Sequence, residues 1–170
     1  MEYGIHLLII ICIYIILSQG LNVNFGLAGL FNLAHIASYS IGAYTVAILS
    51  TDYNFGFWSC IVLSVVFSGM FSVLIGSISL RLKQDYFAIG TLAFSAVVTA
   101  LLINWQSLTR GVLGIPGIPR PVLFGFEFNE NSYFLALIFV FVVITQIFFY
   151  FLLRSPFARN LIAQSEFTEA

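Results

Sequence analysis

Between residues 20 and 35 the chain reads GLNVNFGLAGLFNLAH, which sets Asn22, Asn24, Asn32 and His35 among glycines and apolar residues. Amides and an imidazole can hydrogen-bond a small polar solute without adding a fixed charge. His35 is a candidate proton carrier or ligand contact; the ordinary alternative is a hydrogen bond to a neighbouring helix. Little other chemistry is written in the chain. There is no G-x-x-x-x-G-K-[ST] phosphate loop, and Lys83 is the only lysine, so this chain is not expected to hydrolyse nucleotide alone. There is no H-E-x-x-H and no Cys/His cluster with metal spacing, and His6 lies far from His35. No Ser/His/Asp constellation can be argued. We therefore expect no catalytic residue, no metal and no cofactor, and we look for passage or binding of a solute.

Composition says what must position these groups. The chain is 61% hydrophobic and 8% charged, with a mean hydropathy of +1.05. A soluble domain carries roughly 25% charge. A larger core cannot absorb the deficit, because 170 residues still need a wet surface. The surface must face a lipid bilayer. A net charge of −1 gives no electrostatic case for nucleic acid. Cys12 and Cys60 both lie in apolar stretches and are expected to be two packed thiols, not a disulfide. No basic stretch precedes the first apolar run, which therefore reads as a retained span.

A helix needs about 20 mostly apolar residues to cross the hydrocarbon core. Five segments qualify or nearly so: 3–21, 30–50, 57–80, 86–103 and 133–153. The expected fold is all-α, a polytopic membrane domain over 1–170 with about five transmembrane helices. Charges punctuate the spans. Arg81, Lys83 and Asp85 form a turn before the fourth, with Asp85 placed as its N-cap. With five spans, Arg81 and Lys83 share a side with Arg154 and Arg159, while Arg110 and Arg120 fall opposite. Four basic residues against two favour the first side as cytoplasmic, the N-terminus outside and the C-terminal end inside.

Three stretches depart from plain spans. In 20–35, Gly20, Gly26 and Gly29 weaken a continuous helix, and polar groups fall near membrane depth. The segment reads as a broken or re-entrant element with its polar groups turned inward, or as a simple turn. Ser64, Ser68, Ser72 and Gly76 recur every four residues and predict a helix-packing stripe. Residues 104–132 form a long external loop holding Pro116, Pro119 and Pro121, where helix is excluded around the prolines. Such a loop is a docking surface or a spacer.

Four blocks carry a resemblance. They are GLNVNFGLAGLFNLAHIASYSIGAYTVAIL (20–49), LRLKQDYFAIGTLAF (80–94), NWQSLTRGVLGIPGIPRP (104–121) and RSPFARNLIAQSE (154–166). In this order they resemble the permease subunits of bacterial branched-chain amino acid ABC importers, the LivM-type branch. Departures are Arg110, Val112 and Leu113, where the family usually has Gly, Pro and Asn, and Gln84 and Ala158, each in place of a common Gly. Family members are much longer, so the chain looks like an N-terminal half: a fragment, or a split or truncated gene product.

The resemblance implies a permease subunit in the bacterial inner membrane, paired with a second permease subunit. It implies two ABC ATPase subunits on the cytoplasmic side and an extracytoplasmic substrate-binding protein. Asn22, Gly26, Gly29, Asn32 and His35 would line the substrate path. Arg154, Phe157, Arg159, Leu161 and Glu166, in the ATPase-facing segment 154–170, would couple to the ATPase. Arg110, Arg120, Glu127 and Glu130 would dock the binding protein. A channel or secondary carrier for a small polar solute, and a non-transporting membrane subunit, remain the other readings.

Overall fold

A computed structural model of the chain describes residues 2–123, 126–128 and 130–168. Five long helices form: α1 (Glu2–Asn22), α2 (His35–Thr51), α3 (Phe57–Ser79), α4 (Gln84–Asn104) and α6 (Asn131–Arg154). Between the last two lie a single-turn α5 (Gln106–Thr109), a 3-10 turn (Gly111–Leu113) and a minimal hairpin of β1 (Val122–Leu123) and β2 (Phe126–Glu127). A shorter amphipathic α7 (Pro156–Thr168) follows. The expected all-α polytopic class holds, with the hairpin as a small addition.

The chain divides into two compact units: residues 1–31 with 128–170, and residues 32–127. In the first, α1 packs on α6, and Gln19 Nε2 donates to Gln146 Oε1. Beyond the C-terminal end of α1 the helix widens into a π turn (Val23–Leu27), and α7, just beyond the C-terminal end of α6, packs on that turn. The two amides lie at similar distances from their helix starts, and both C-terminal ends meet. Thus α1 and α6 run parallel.

That direction bears on the number of crossings. Four helical stretches are long and apolar enough to span by themselves: Glu2–Leu27, Phe57–Ser79, Tyr86–Asn104 and Asn131–Arg154. Four alternating crossings would make α1 and α6 antiparallel. Their parallel course fits the expected fifth crossing by α2. Yet α2 has 17 residues, about 25 Å of rise against a hydrocarbon core of about 30 Å. It starts at His35, five residues later than the apolar pattern predicts.

In the second unit, α2 packs on α3 through the predicted stripe. A Cβ on Gly42 would lie 3.7 Å from Ser68 Cβ and 3.8 Å from Ser64 Oγ, and Ser72 Oγ donates to Ser38 Oγ at 2.8 Å. Small side chains at four-residue spacing let the two backbones approach, which substitutes for the missing hydrophobic drive in lipid. Gly76 is outside this contact, with no atom within 4 Å of where its Cβ would be. The stripe therefore ends at Ser72. Cys12 and Cys60 are both buried free thiols.

The turn between α3 and α4 corrects one expectation. The N-cap of α4 is Lys83, in extended backbone at ψ 154°, and no side chain caps it. Asp85 is the second helical residue, since Gln84 adopts helical geometry and pushes the cap back. Its backbone place in the first turn still favours an acidic residue against the helix dipole; its side chain lies outside the described residues.

Candidate translocation and coupling elements

The interruption expected near 20–35 is present, and its construction is specific. Gly20 stays inside α1, so this glycine alone does not break the helix. The break follows the π turn. Asn22 and Gly26 touch: a Cβ on Gly26 would fall on the Asn22 side-chain amide, which would have to swing away. Leu30 N then donates to Asn24 O at 3.0 Å, and Gly29 takes φ +66°, a conformation glycine adopts without a Cβ clash. Phe25 and Phe31 meet edge to face, 5.4 Å between centroids, and close the loop over.

The start of α2 is built from the other side of the break. Asn32 Oδ1 accepts from Ala34 N at 3.0 Å, an Asx turn that serves one backbone donor ahead of the helix. Leu33 N donates to Thr91 Oγ1 at 3.2 Å. Thr91 is 0% exposed and in turn donates to Ala88 O at 3.0 Å. It stands two turns into α4, about 10 Å along the axis from its start. Hence α2 begins at membrane depth, which explains how 17 residues suffice. His35, partly buried, is the first residue of that helix. Irregular backbone at such depth must be sheltered by protein or face a wet cavity. Oriented N–H groups at a helix start there favour an anionic group.

At the far end of α4 a second threonine organises the loop. Thr109 Oγ1 lies 2.6 Å from Leu102 O and 2.7 Å from Trp105 O, so its one hydroxyl hydrogen sits between two carbonyls, of which Trp105 O also accepts from Leu108 N and Thr109 N. The chain then turns through Arg110 at φ 60°, and Arg110 reaches Asp52 at the end of α2, 3.0 Å away, with both side chains nearly half exposed (45% and 42%). Among the proposed docking residues, Arg110 is therefore tied to its own unit. Arg120 and Glu130 are exposed; the Glu127 side chain lies outside the described residues.

The segment after α6, expected from the sequence to face an ATPase, forms the third element. Ser155 ends α6 and caps α7: Ala158 N donates to Ser155 Oγ at 3.3 Å, and Pro156 occupies the first helical position, where its missing N–H costs nothing. Arg154 stacks on the Tyr150 ring, 4.2 Å from its centroid. Phe157, Arg159 and Arg154 are exposed, Leu161 is partly buried, and Ala158 is 0% exposed. The Glu166 side chain lies outside the described residues.

Residues 4–166 match the family described as the permease component of branched-chain amino acid transport systems. The chain belongs to this permease family. Among its relatives, the high-affinity branched-chain amino acid transport system permease protein LivM of Salmonella typhimurium (strain LT2) is 48% identical over 120 residues, which cover 71% of this chain and 28% of that protein. LivM of Escherichia coli (strain K12) is 46% identical over 120 residues, with the same coverage of each chain. The matched part thus spans less than a third of these relatives' length. No solved structure matches. Family and apolar helices together make this a multi-pass membrane protein.

Two residues that the sequence left unremarked are Thr91 and Thr109. Both lie inside the resembling blocks, and block membership was the available signal. Arg110 is the departure with a measurable consequence. A non-glycine residue in the left-handed region costs about 1–2 kcal/mol, whereas a half-exposed ion pair contributes about 0–1 kcal/mol. Arg110→Gly is therefore expected to keep stability within about 1 kcal/mol, and Asp52→Ala to lower it by less than about 1 kcal/mol. Thermal unfolding of the purified protein in detergent checks both. A loss above about 2 kcal/mol in either would mean the pair is worth more than exposed pairs are.

Proposed function

We propose that the chain is part of a permease subunit of an ABC importer, forming a portion of the translocation path for branched-chain or related amino acids. The supporting observation is the helix that begins at membrane depth, with Asn32 and Thr91 serving the two backbone donors just ahead of it, Ala34 N and Leu33 N. A zwitterionic substrate needs donors for its carboxylate, which a half-helix start supplies, and apolar surface for its side chain. Asn22, Gly26 and Gly29 on the π-turn side, and Asn32 and His35 on the α2 side, contribute to this path. The membrane is the bacterial inner membrane, with the N-terminus outside and the C-terminal end cytoplasmic.

The chain carries no phosphate loop, so energy must come from partners. These are a second permease subunit, two ABC ATPase subunits and an extracytoplasmic binding protein. Exposed Phe157 and Arg159 on α7, with Arg154 at the end of α6, offer apolar and basic groups to the ATPase. The loop bearing Arg110, Arg120, Glu127 and Glu130 receives the binding protein. In the complete transporter reconstituted in vesicles, Asn32→Ala and His35→Ala are each expected to cut leucine uptake severalfold while assembly persists. Unchanged uptake in both would sink the path assignment. Deleting 108–122 is expected to abolish binding-protein affinity; undiminished affinity removes the docking role.

A further inference from the structure

We propose that the 3-10 turn Gly111–Leu113 is a membrane anchor, which inserts Val112 and Leu113 into the lipid at the bilayer face where the 104–132 loop emerges. Val112 is 86% and Leu113 93% exposed, unusual for aliphatic residues in a tightly folded turn. The turn is held in place from beneath. Thr109 Oγ1 is bonded to Leu102 O, and Gly111 sits so close to Ile103 that a Cβ there would lie 3.0 Å from its carbonyl oxygen. Gly114 N closes the turn on Gly111 O at 3.2 Å. Leu102 and Ile103 belong to the last turn of a membrane span. A 3-10 turn rises about 2 Å per residue, so Leu113 lies within about 4 Å of rise from the residue packed on Ile103.

The apolar pair is therefore fixed at the level where the span leaves the hydrocarbon. Leu101, Ile103 and Trp105 at the same helix end are exposed as well, and a tryptophan there suits the headgroup region. The pair extends this exposed apolar end. Left in water, two aliphatic side chains would oppose the turn; placed in the interface, they favour it. The same two positions depart from the Pro and Asn usual in the resembling loops, and both changes raise apolar character. The turn lies within the 108–122 segment proposed for docking, but the anchor uses Val112 and Leu113 and none of the charged docking residues, and its readout is lipid exposure and not transport.

The test is made on the complete transporter in phosphatidylethanolamine and phosphatidylglycerol vesicles, with Cys12 and Cys60 replaced by alanine. Leu113→Cys is labelled with an environment-sensitive fluorophore. Expected are blue-shifted emission, strong loss of intensity with lipids brominated near the headgroup end of the chain, and little loss with aqueous iodide. Quenching by iodide places the turn in water and overturns the proposal. Shielding from both quenchers places it under protein and overturns it equally. Val112→Cys gives the same readout if the Leu113 variant fails to assemble.

Discussion

Replacing Thr91 by valine is expected to destabilise the protein by about 1–2 kcal/mol and to depress transport in the complete assembly. Valine keeps the shape, so packing around this fully buried position is preserved. What disappears is the acceptor for Leu33 N–H, 3.2 Å away. In water such a donor would find solvent. About 10 Å into a bilayer-spanning helix it has only protein to turn to, and an unmade bond at depth costs about 1–3 kcal/mol. Measured interhelical bonds in membranes run lower, averaging about 0.6 and reaching about 1.7 kcal/mol, which sets the lower half of the range.

Thr91→Ser keeps the hydroxyl and is the control: it is expected to retain most of the stability and uptake. The comparison of melting temperature in detergent for the two variants isolates the hydrogen bond from the packing. Equal melting of Thr91→Val and the parent protein would mean that Leu33 N–H is served elsewhere, by water in an open cavity. That result would also move the start of α2 out of the sheltered interior.

The dependence on Thr91 shows which parts of the structure could be read in advance. Long apolar runs bounded by charges predict α1, α3, α4 and α6 to within about two residues, because length and desolvation leave few alternatives at membrane depth. The four-residue recurrence of Ser64, Ser68 and Ser72 predicts a packed face for the same kind of reason. The start of α2 is different. Gly26, Gly29 and Asn32 signal a break, but Leu30, Phe31, Leu33 and Ala34 are apolar enough to extend a span, so composition does not say where the break ends and the helix starts. Their geometry depends on a partner 58 residues away in sequence, the Thr91 hydroxyl. A threonine in an apolar helix ordinarily bonds its own preceding turn, and nothing local distinguishes one that also receives a distant N–H. Thr109 is hidden differently: its partners Leu102 O and Trp105 O are seven and four residues back, and they meet only because α4 ends between them. The Asp52–Arg110 pair likewise requires two loops to be brought together, which no local pattern encodes. In the candidate site the types of the polar residues were legible, and the arrangement that gives them partners was not.

Ala158 sets up the second large effect. Its side chain is wholly buried on α7, beside the Ser155 cap, on a helix packed against the π turn that follows α1. Ala158→Leu adds three carbons where no space is free, and overpacking of this kind costs about 1–3 kcal/mol. The least costly relief is for the short helix to lift from its seat on the π turn. Transport in the complete assembly is then expected to fall severalfold, while ATPase activity per complex changes far less. Ala158→Gly restores the residue common in the resembling segment. It costs about 1 kcal/mol of helix propensity, introduces no clash, and is expected to keep uptake near the parent value. The two variants separate seating from helicity. A helix that merely frays would make both variants fail alike. A helix whose position transmits the ATPase stroke makes leucine fail and glycine succeed, with the ratio of hydrolysis to uptake rising only in the first. Leucine transporting as well as alanine would show that α7 needs no fixed seat on the π turn, and would detach the coupling role from this segment.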